Sequence, residues 1–263
     1  MSYYITSFCY DKYLTIENKW RERISNMCKN CMIEVYKNIK MQINYGYAWW
    51  DIVRLHNNLN LLIEKQIPIV QVDMDIIIEK DIEPLLNLDY DFIISTEIGG
   101  NKAFPPECSG ILGFGVCSGF YVAKPSALSF LVKMLSYMKT NKYKSNSDQV
   151  TIMNYIVSNE HQVTTETVCF DNITYTNHII HIDNIKICVL DFNIIIRDPI
   201  FNNGQFGNHI NIDNVGGVNH FLKYYDESLE NLPLTCRCGK THLGDTSICK
   251  HIEMRKNNGT HHS

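Results

Sequence analysis

The chain has 263 residues, of which 45% are hydrophobic and 20% charged, with a formal net charge of −4. This is the composition of a soluble globular protein with enough apolar material for a sizeable core, in one large domain or one domain with an appendage. It excludes a general electrostatic attraction to nucleic acid or anionic membrane, and no uninterrupted apolar stretch is long enough to span a bilayer.

In chain order, YYITSF (Tyr3–Phe8) predicts a first strand. DKYLTIENKWRERISNMCKNC spaces its apolar residues as a helix does. EVYKNI predicts a second strand or a short helix. AWWDIVRLHNNLNLLIEK sets Trp50, Val53, Leu55, Leu59, Leu61 and Leu62 mostly on one helical face. QIPIVQVDMDIII predicts a strand, IEPLLNL a short helix, and DFIIST a strand ending at Glu97. GGNKAFPPECSG has the glycines and prolines of a loop. FGVCSGFYVAK predicts a strand, and PSALSFLVKMLSYMKT a helix opening at Pro125 and Ser126. SDQVTIMNYIVSNE predicts a helix capped by Ser147. VTTETVCF, IHIDNIKICVLD and INIDN are strand-like. Strands alternate with helices over the first two-thirds, which predicts an α/β layered sheet, mixed but mostly parallel, flanked by helices.

Residues 232–263 differ in composition, being rich in Cys, His, Gly and Lys, and are expected to form an appendage to a domain spanning 1–231. Cys236, Cys238, His242, Cys249 and His251 supply enough ligands for tetrahedral Zn²⁺, but at a spacing that matches no common finger. The other reading is a loosely ordered tail carrying thiols. Cys28-Lys-Asn-Cys31 has no thioredoxin-like context, and most of the ten cysteines are expected to be buried thiols. The N-terminus lacks a basic region followed by an apolar one, so a cytoplasmic protein is expected, and the sequons at Asn172 and Asn258 are read as chance matches.

Asp73 and Asp75 interrupt an apolar run. Buried carboxylates are costly unless paired or bound to a cation. Side chains at i and i+2 of a strand share a face, and a turn just beyond Val72 would also bring the two together. Hard divalent ions take oxygen ligands, commonly few carboxylates plus substrate phosphates. The carboxyl end of a central strand is also where open α/β sheets bind ligands. A metal–diphosphate site is one reading; a turn-capping acid beside a solvated one is the other. Asp148, opening a predicted helix, complements the helix dipole on its plainest reading. Trp49-Trp50 is either core or a stacking surface.

Further short motifs stand in order around Asp73-Met74-Asp75. Arg54-Leu55 precedes it on a helix, and Thr6, Ser7, Asp11 and Tyr13 lie near the N-terminus. Val116-Cys117-Ser118-Gly119, Asp148-Gln149 with Asn154, and Val218-Asn219-His220-Phe221 follow. On these motifs the chain, from about Tyr3 to Tyr225, resembles glycosyltransferases of the GT-A fold, especially the family 8 group that includes glycogenin and bacterial galactosyltransferases.

The resemblance implies a GT-A-like α/β fold and a nucleotide-sugar donor, UDP-linked, whose sugar passes to an acceptor hydroxyl on a glycan, protein or small molecule. It implies that Asp73, Asp75 and a late-strand His220 hold Mn²⁺ or Mg²⁺, imidazole favouring manganese. Thr6, Ser7, Asp11, Tyr13, Arg54, Ser118 and Gly119 would bind the donor, with Lys223 supplying charge. Asp148 and Gln149 would line the sugar side. In a retaining reaction Gln149 stabilises the transition state; in an inverting one Asp148 or Glu97 is the candidate base. Two positions depart from the family pattern: Cys117 replaces an Asn, and Lys223 stands where Gly is usual. A sugar-nucleotide pyrophosphorylase is disfavoured because FCYDKY has no glycine. A transferase fold that binds a partner without catalysis is the other alternative.

Overall fold

The computed structural model describes residues 2–37, 48–97, 100–140, 147–197, 204–210, 212, 218–226, 234–235 and 241–242. Its centre is an eight-stranded sheet in the order β2-β1-β3-β6-β5-β9-β8-β7. β1 (Tyr3–Cys9) pairs parallel with β2 (Cys31–Lys37) and with β3 (Ile69–Val72). Helix α1 (Glu17–Met27) makes the first crossover and α2 (Ala48–Lys65) lies before β3. A 3-10 turn at Asp11–Thr15 leads into α1.

β6 (Gly115–Ala123) runs antiparallel between β3 and β5 (Phe92–Glu97), and β5 pairs parallel with β9 (Ile185–Val189). β7 (Gln162–Phe170), β8 (Ile173–Ile182) and β9 form an antiparallel meander. Its turns, Asp171-Asn172 and Asp183-Asn184, all take positive φ. That is the geometry two-residue hairpins need to match strand twist, and Asn and Asp tolerate it. Three of the seven pairings are parallel, so the sheet is mixed, as expected, but not mostly parallel.

The run predicted as one strand over 66–78, with a turn just beyond Val72 as the alternative, is two strands in two sheets. β3 ends at Val72, the chain turns through Asp73–Asp75, and β4 (Ile76–Ile78) joins a small sheet in the order β10-β11-β4. There β4 pairs antiparallel with β11 (Gly207–His209), which pairs parallel with β10 (Ile195–Arg197). The turn breaks the strand because Ile76 N–H donates to Asp73 O at 2.9 Å instead of continuing the ladder.

A second correction concerns the loop expected over 99–110. It contains a 3-10 turn, Gly100–Lys102, and a helix, α4 (Pro106–Leu112). Pro106 opens that helix and Gly113, at φ 83°, closes it in the left-handed conformation. The expected short helix is α3 (Glu83–Leu86). The later helices are α5 (Leu128–Thr140), entered through a 3-10 turn at Pro125–Ala127, and α6 (Asp148–Ser158). The side chain of Ser147 accepts from Val150 N–H, as its cap position predicts. The strand expected at 210–214 is not formed at Ile210 or Ile212, the described residues there.

The two faces of the sheet carry separate cores. Tyr3, Ile5, Val70, Val72, Phe120 and Val122 pack with α1 and the small sheet. Ile69, Phe92, Ile94 and Tyr121 pack with α2, α5 and α6. β3 alternates between them, so Gln71 and Asp73 share the face of Ile69, toward α2. The seven described cysteines form no disulfide, and five of them are buried. Among the described residues no helix is long and apolar enough to cross a membrane.

Of the expected appendage, only two short paired strands are described, β12 (Leu234–Thr235) and β13 (Thr241–His242). Cys236, Cys238, Cys249 and His251, and the side chain of His242, lie outside the described residues.

Candidate active site

The site grows from the turn between β3 and β4. Asp73 N–H donates to Gly119 O at 2.8 Å, and Ile210 N–H donates to Asp75 O at 2.8 Å. The turn is thereby pinned to β6 on one side and to the end of β11 on the other. The β5–β6 register shifts here: Ile94 pairs with Tyr121 but Ser95 pairs with Cys117. This irregularity releases Ser118 and Gly119 from β5 and presents them to the site, a common use of bulges.

Asp73, Asp75 and His209 each offer a ligand atom, and the three atoms lie within 4.8 Å of one another. His209 Nε2 lies 3.3 Å from Asp75 Oδ1. Asp75 and His209 are buried, whereas the Asp73 side chain is 30% exposed, so the cluster opens on the Asp73 side. Gly119 forms its floor. A Cβ there would lie 2.9 Å from His209 Cε1 and 3.1 Å from Asp73 Oδ2.

Burial pushes the Asp73 pKa up, and Asp75 adds to this against the pull of Arg54. Burial opposes protonation of His209, but the adjoining Asp75 carboxylate and Cys117 outweigh it and hold the imidazole well above its ordinary range. Two carboxylates and an imidazole at this separation are a donor set that fits a divalent transition cation.

Arg54, on α2, is the hub beside the cluster. Its Nη1 donates to Asp73 Oδ1 at 2.7 Å, and its Nη2 donates to Asp51 Oδ1 at 3.1 Å and to Asp148 Oδ2. Asp148 opens α6 and also accepts from Ser118 Oγ at 2.5 Å and from Gln149 N–H at 2.8 Å. Burial, with the nearby Asp148 charge, pushes Asp51 up to about 8. Gln149 Nε2 donates to Phe104 O at 2.9 Å and to Glu97 Oε2 at 3.3 Å. One chain of contacts therefore joins Asp73, Arg54, Asp148, Gln149 and Glu97.

Behind Asp73 runs a buried amide relay. Gln71 Nε2 donates to Asp73 Oδ1 at 3.1 Å, while Gln71 Oε1 accepts from Asn58 Nδ2 at 3.1 Å and from Thr6 Oγ1 at 3.2 Å. In front of it lies a cleft of about 120 Å³ lined by Phe8, Tyr10, Tyr13, Trp50, Asp51, Arg54, Asp73 and Met74. Tyr10 and Trp50 stack there with ring centroids 4.7 Å apart and planes 15° apart.

The structure brings Asp73, Asp75, Arg54, Ser118, Gly119, Asp148, Gln149 and Glu97 together, and Tyr13 lines the cleft. Thr6 and Ser7 are fully buried in β1, and Thr6 reaches the site only through Gln71. The side chain of Asp11 lies outside the described residues. His220 sits in a short helix, α7 (Val218–Phe221), not on a strand, and its side chain also lies outside the described residues. Lys223 is exposed at the start of α8 (Lys223–Asp226).

Sequence reasoning missed His209, Gln71, Asn58 and the Tyr10–Trp50 stack as site components. His209 ends a three-residue strand whose partner, β4, is over a hundred residues away, and no local pattern marks such a position. Trp50 was legible as an aromatic at a helix start, with its role undecided.

A family model described as nucleotide-diphospho-sugar transferase matches residues 34–211. The chain belongs to this family. The transferase has a GT-A-like α/β fold and is a glycosyltransferase. Among solved structures it is similar to a glycosyltransferase involved in the glycosylation of the major capsid of PBCV-1. The two share 12% identity at a TM-score of 0.54, over 86% of the transferase and 99% of that chain. Mouse xyloside xylosyltransferase 1 in its apo form aligns at 10% identity and TM-score 0.49, over 81% of the transferase and 99% of that chain. A comparison with curated proteins gives no match.

Proposed function

We propose that the protein transfers a sugar from a UDP-sugar to an acceptor hydroxyl with the help of Mn²⁺ held by Asp73, Asp75 and His209. In this reading His209 takes the place that the sequence resemblance gave to His220. The observation that carries it is the convergence of those three side chains within 4.8 Å, beside an aromatic cleft. When bound, the cation offsets charge growing on the leaving diphosphate.

The chain's own residues do the rest. The aromatic cleft receives the base, which replaces ring-on-ring contact of Tyr10 and Trp50 with ring-on-base contact. Arg54 and Gln71 hold Asp73 Oδ1 and so aim Oδ2 toward the cluster. Asp148 keeps Arg54 and Ser118 in place and lines the sugar side. The sugar C1 gains oxocarbenium character as the diphosphate departs. Gln149, tied to Phe104 O and Glu97, stands on the same side. In a retaining reaction it stabilises that developing charge, and in an inverting one Glu97 or Asp148 accepts the acceptor proton.

The test is UDP release from a panel of UDP-sugars, with Mn²⁺ and with a chelator. The reading expects release that needs both a particular sugar and Mn²⁺. Release undiminished by the chelator contradicts the metal role, and release from other nucleotide sugars only contradicts the UDP assignment.

A further inference from the structure

β6 carries Cys117 immediately before Ser118 and Gly119. The Cys117 side chain is buried, and its Sγ lies 3.5 Å from Nδ1 of His209. The opposite ring nitrogen, Nε2, faces Asp75 Oδ1 at 3.3 Å. The imidazole is thus held between a thiol and a carboxylate, with its Cε1 edge over the floor at Gly119. Cys117 is not among the three residues whose ligand atoms converge, and its sulfur meets the ring.

We propose that Cys117 is a positioning residue for His209: its thiol fixes the ring's orientation and tautomer so that Nε2 is presented to a cation shared with Asp73 and Asp75. The proposal rests on the metal-dependent reading above.

An imidazole binds a cation through a nitrogen lone pair. The ring proton must then sit on the other nitrogen, and that N–H needs an acceptor in a dry site. A thiol donates weakly and accepts weakly. Cys117 therefore serves the ring in both of its states. Its sulfur accepts from Nδ1–H while Nε2 carries its own proton toward Asp75. Its sulfur accepts from Nδ1–H when Nε2 turns its lone pair to a cation. The backbone holds the thiol in place, since Cys117 O accepts from Ser95 Oγ at 2.7 Å at the register shift. A valine of similar volume would serve neither state, while a serine hydroxyl would serve both.

The experiment titrates Mn²⁺ alone, following the signal of the free hydrated ion by electron paramagnetic resonance, against wild type, Cys117→Val, Cys117→Ala, Cys117→Ser and Asp75→Asn. Losing an outer partner of a ligating histidine typically weakens metal binding about 10–100-fold. That is the loss expected for Cys117→Val and Cys117→Ala, with Cys117→Ser close to wild type. The alanine variant covers the case in which valine prevents folding. Long-range ¹H–¹⁵N spectra of the His209 ring should show an altered tautomer balance in the apolar variants and not in the serine variant. If the apolar variants bind Mn²⁺ like wild type while Asp75→Asn does not, the positioning role fails and the metal site stands. Equal losses in serine and apolar variants also overturn it, because packing alone would explain them. If wild type does not bind Mn²⁺, or Asp75→Asn binds undiminished, the metal-dependent reading itself fails.

Discussion

One nitrogen of the Arg54 guanidinium lies 2.7 Å from Asp73 Oδ1, and the other reaches Asp148 at the start of α6. A single buried cation thus ties the turn after β3 to the start of α6. Its planar fork is suited to this, since each nitrogen is fixed relative to the other. Removing it strands Asp51, Asp73 and Asp148 without their shared partner. Breaking a buried pair in this way costs about 3–5 kcal/mol. Arg54→Ala should lose stability on that scale in urea unfolding, and Arg54→Lys should recover little of it, because a point charge cannot bridge both sites. A loss below about 1 kcal/mol, the range of surface pairs, would show that the fork is not holding the two elements together.

Gly119 has no room for a side chain between His209 and Asp73. Gly119→Ala must displace one of them by a few tenths of an ångström. The expected outcome is a loss of Mn²⁺ affinity larger than any loss of stability, read by metal titration and thermal melting on the same sample. Unchanged affinity would mean that the two side chains need not keep this geometry to bind the ion.

Asp51 is pushed up to about 8 by burial and the neighbouring Asp148. An acid whose folded pKa exceeds its unfolded value holds its proton more tightly when folded. The resulting stabilisation is full below about pH 4 and is lost as pH rises toward 8. Asp51→Asn keeps the side chain neutral throughout. Relative to wild type it should therefore gain stability progressively between pH 4 and 8 and level off above, as followed by urea melts across that range. A pH-independent difference would place the Asp51 pKa near its ordinary value.

Trp50 stacks on Tyr10 at the cleft wall. If a base enters there, Trp50→Ala should weaken UDP binding by about 1–3 kcal/mol, the usual worth of one aromatic–base contact, on the order of tenfold or more. Calorimetric titration of UDP with Mn²⁺ measures this, and an unaltered Kd would move the base away from the Trp50 wall.

Much of this fold is legible in the sequence, for reasons tied to particular residues. α2 is readable end to end because Leu55, Leu59 and Leu62 recur at helical spacing and are buried on one face. α6 is readable from Ser147, whose hydroxyl does cap it. α4 was hidden by its prolines and glycines, although Pro106 at its first turn and Gly113 just past its end are helix punctuation. The break at Asp73 was legible only as the alternative of a turn just beyond Val72, because Ile76–Ile78 is as apolar as β3 and only pairing with β11 puts it in another sheet. The site divides the same way. Asp73, Asp75, Arg54 and Asp148 stand in short local motifs. His209 and Cys117 meet only through tertiary folding, 92 residues apart, and a lone histidine on a three-residue strand leaves no local trace. The mixed sheet was expected, but its share of antiparallel pairing escaped for a related reason, since antiparallel β6 inserts between β3 and β5 without any local mark of direction.

The central claim is that Asp73 and Asp75 tolerate each other at the end of β3 because a cation and a diphosphate belong between them. Asp75→Asn tests this most directly, in a thermal-shift measurement with UDP and Mn²⁺. Ligands that bind only the folded state raise Tm, so the account predicts a Mn²⁺-dependent rise with UDP for wild type and none for Asp75→Asn. An equal Mn²⁺-dependent rise in the variant, or a rise in wild type that is the same with a chelator present, would contradict it.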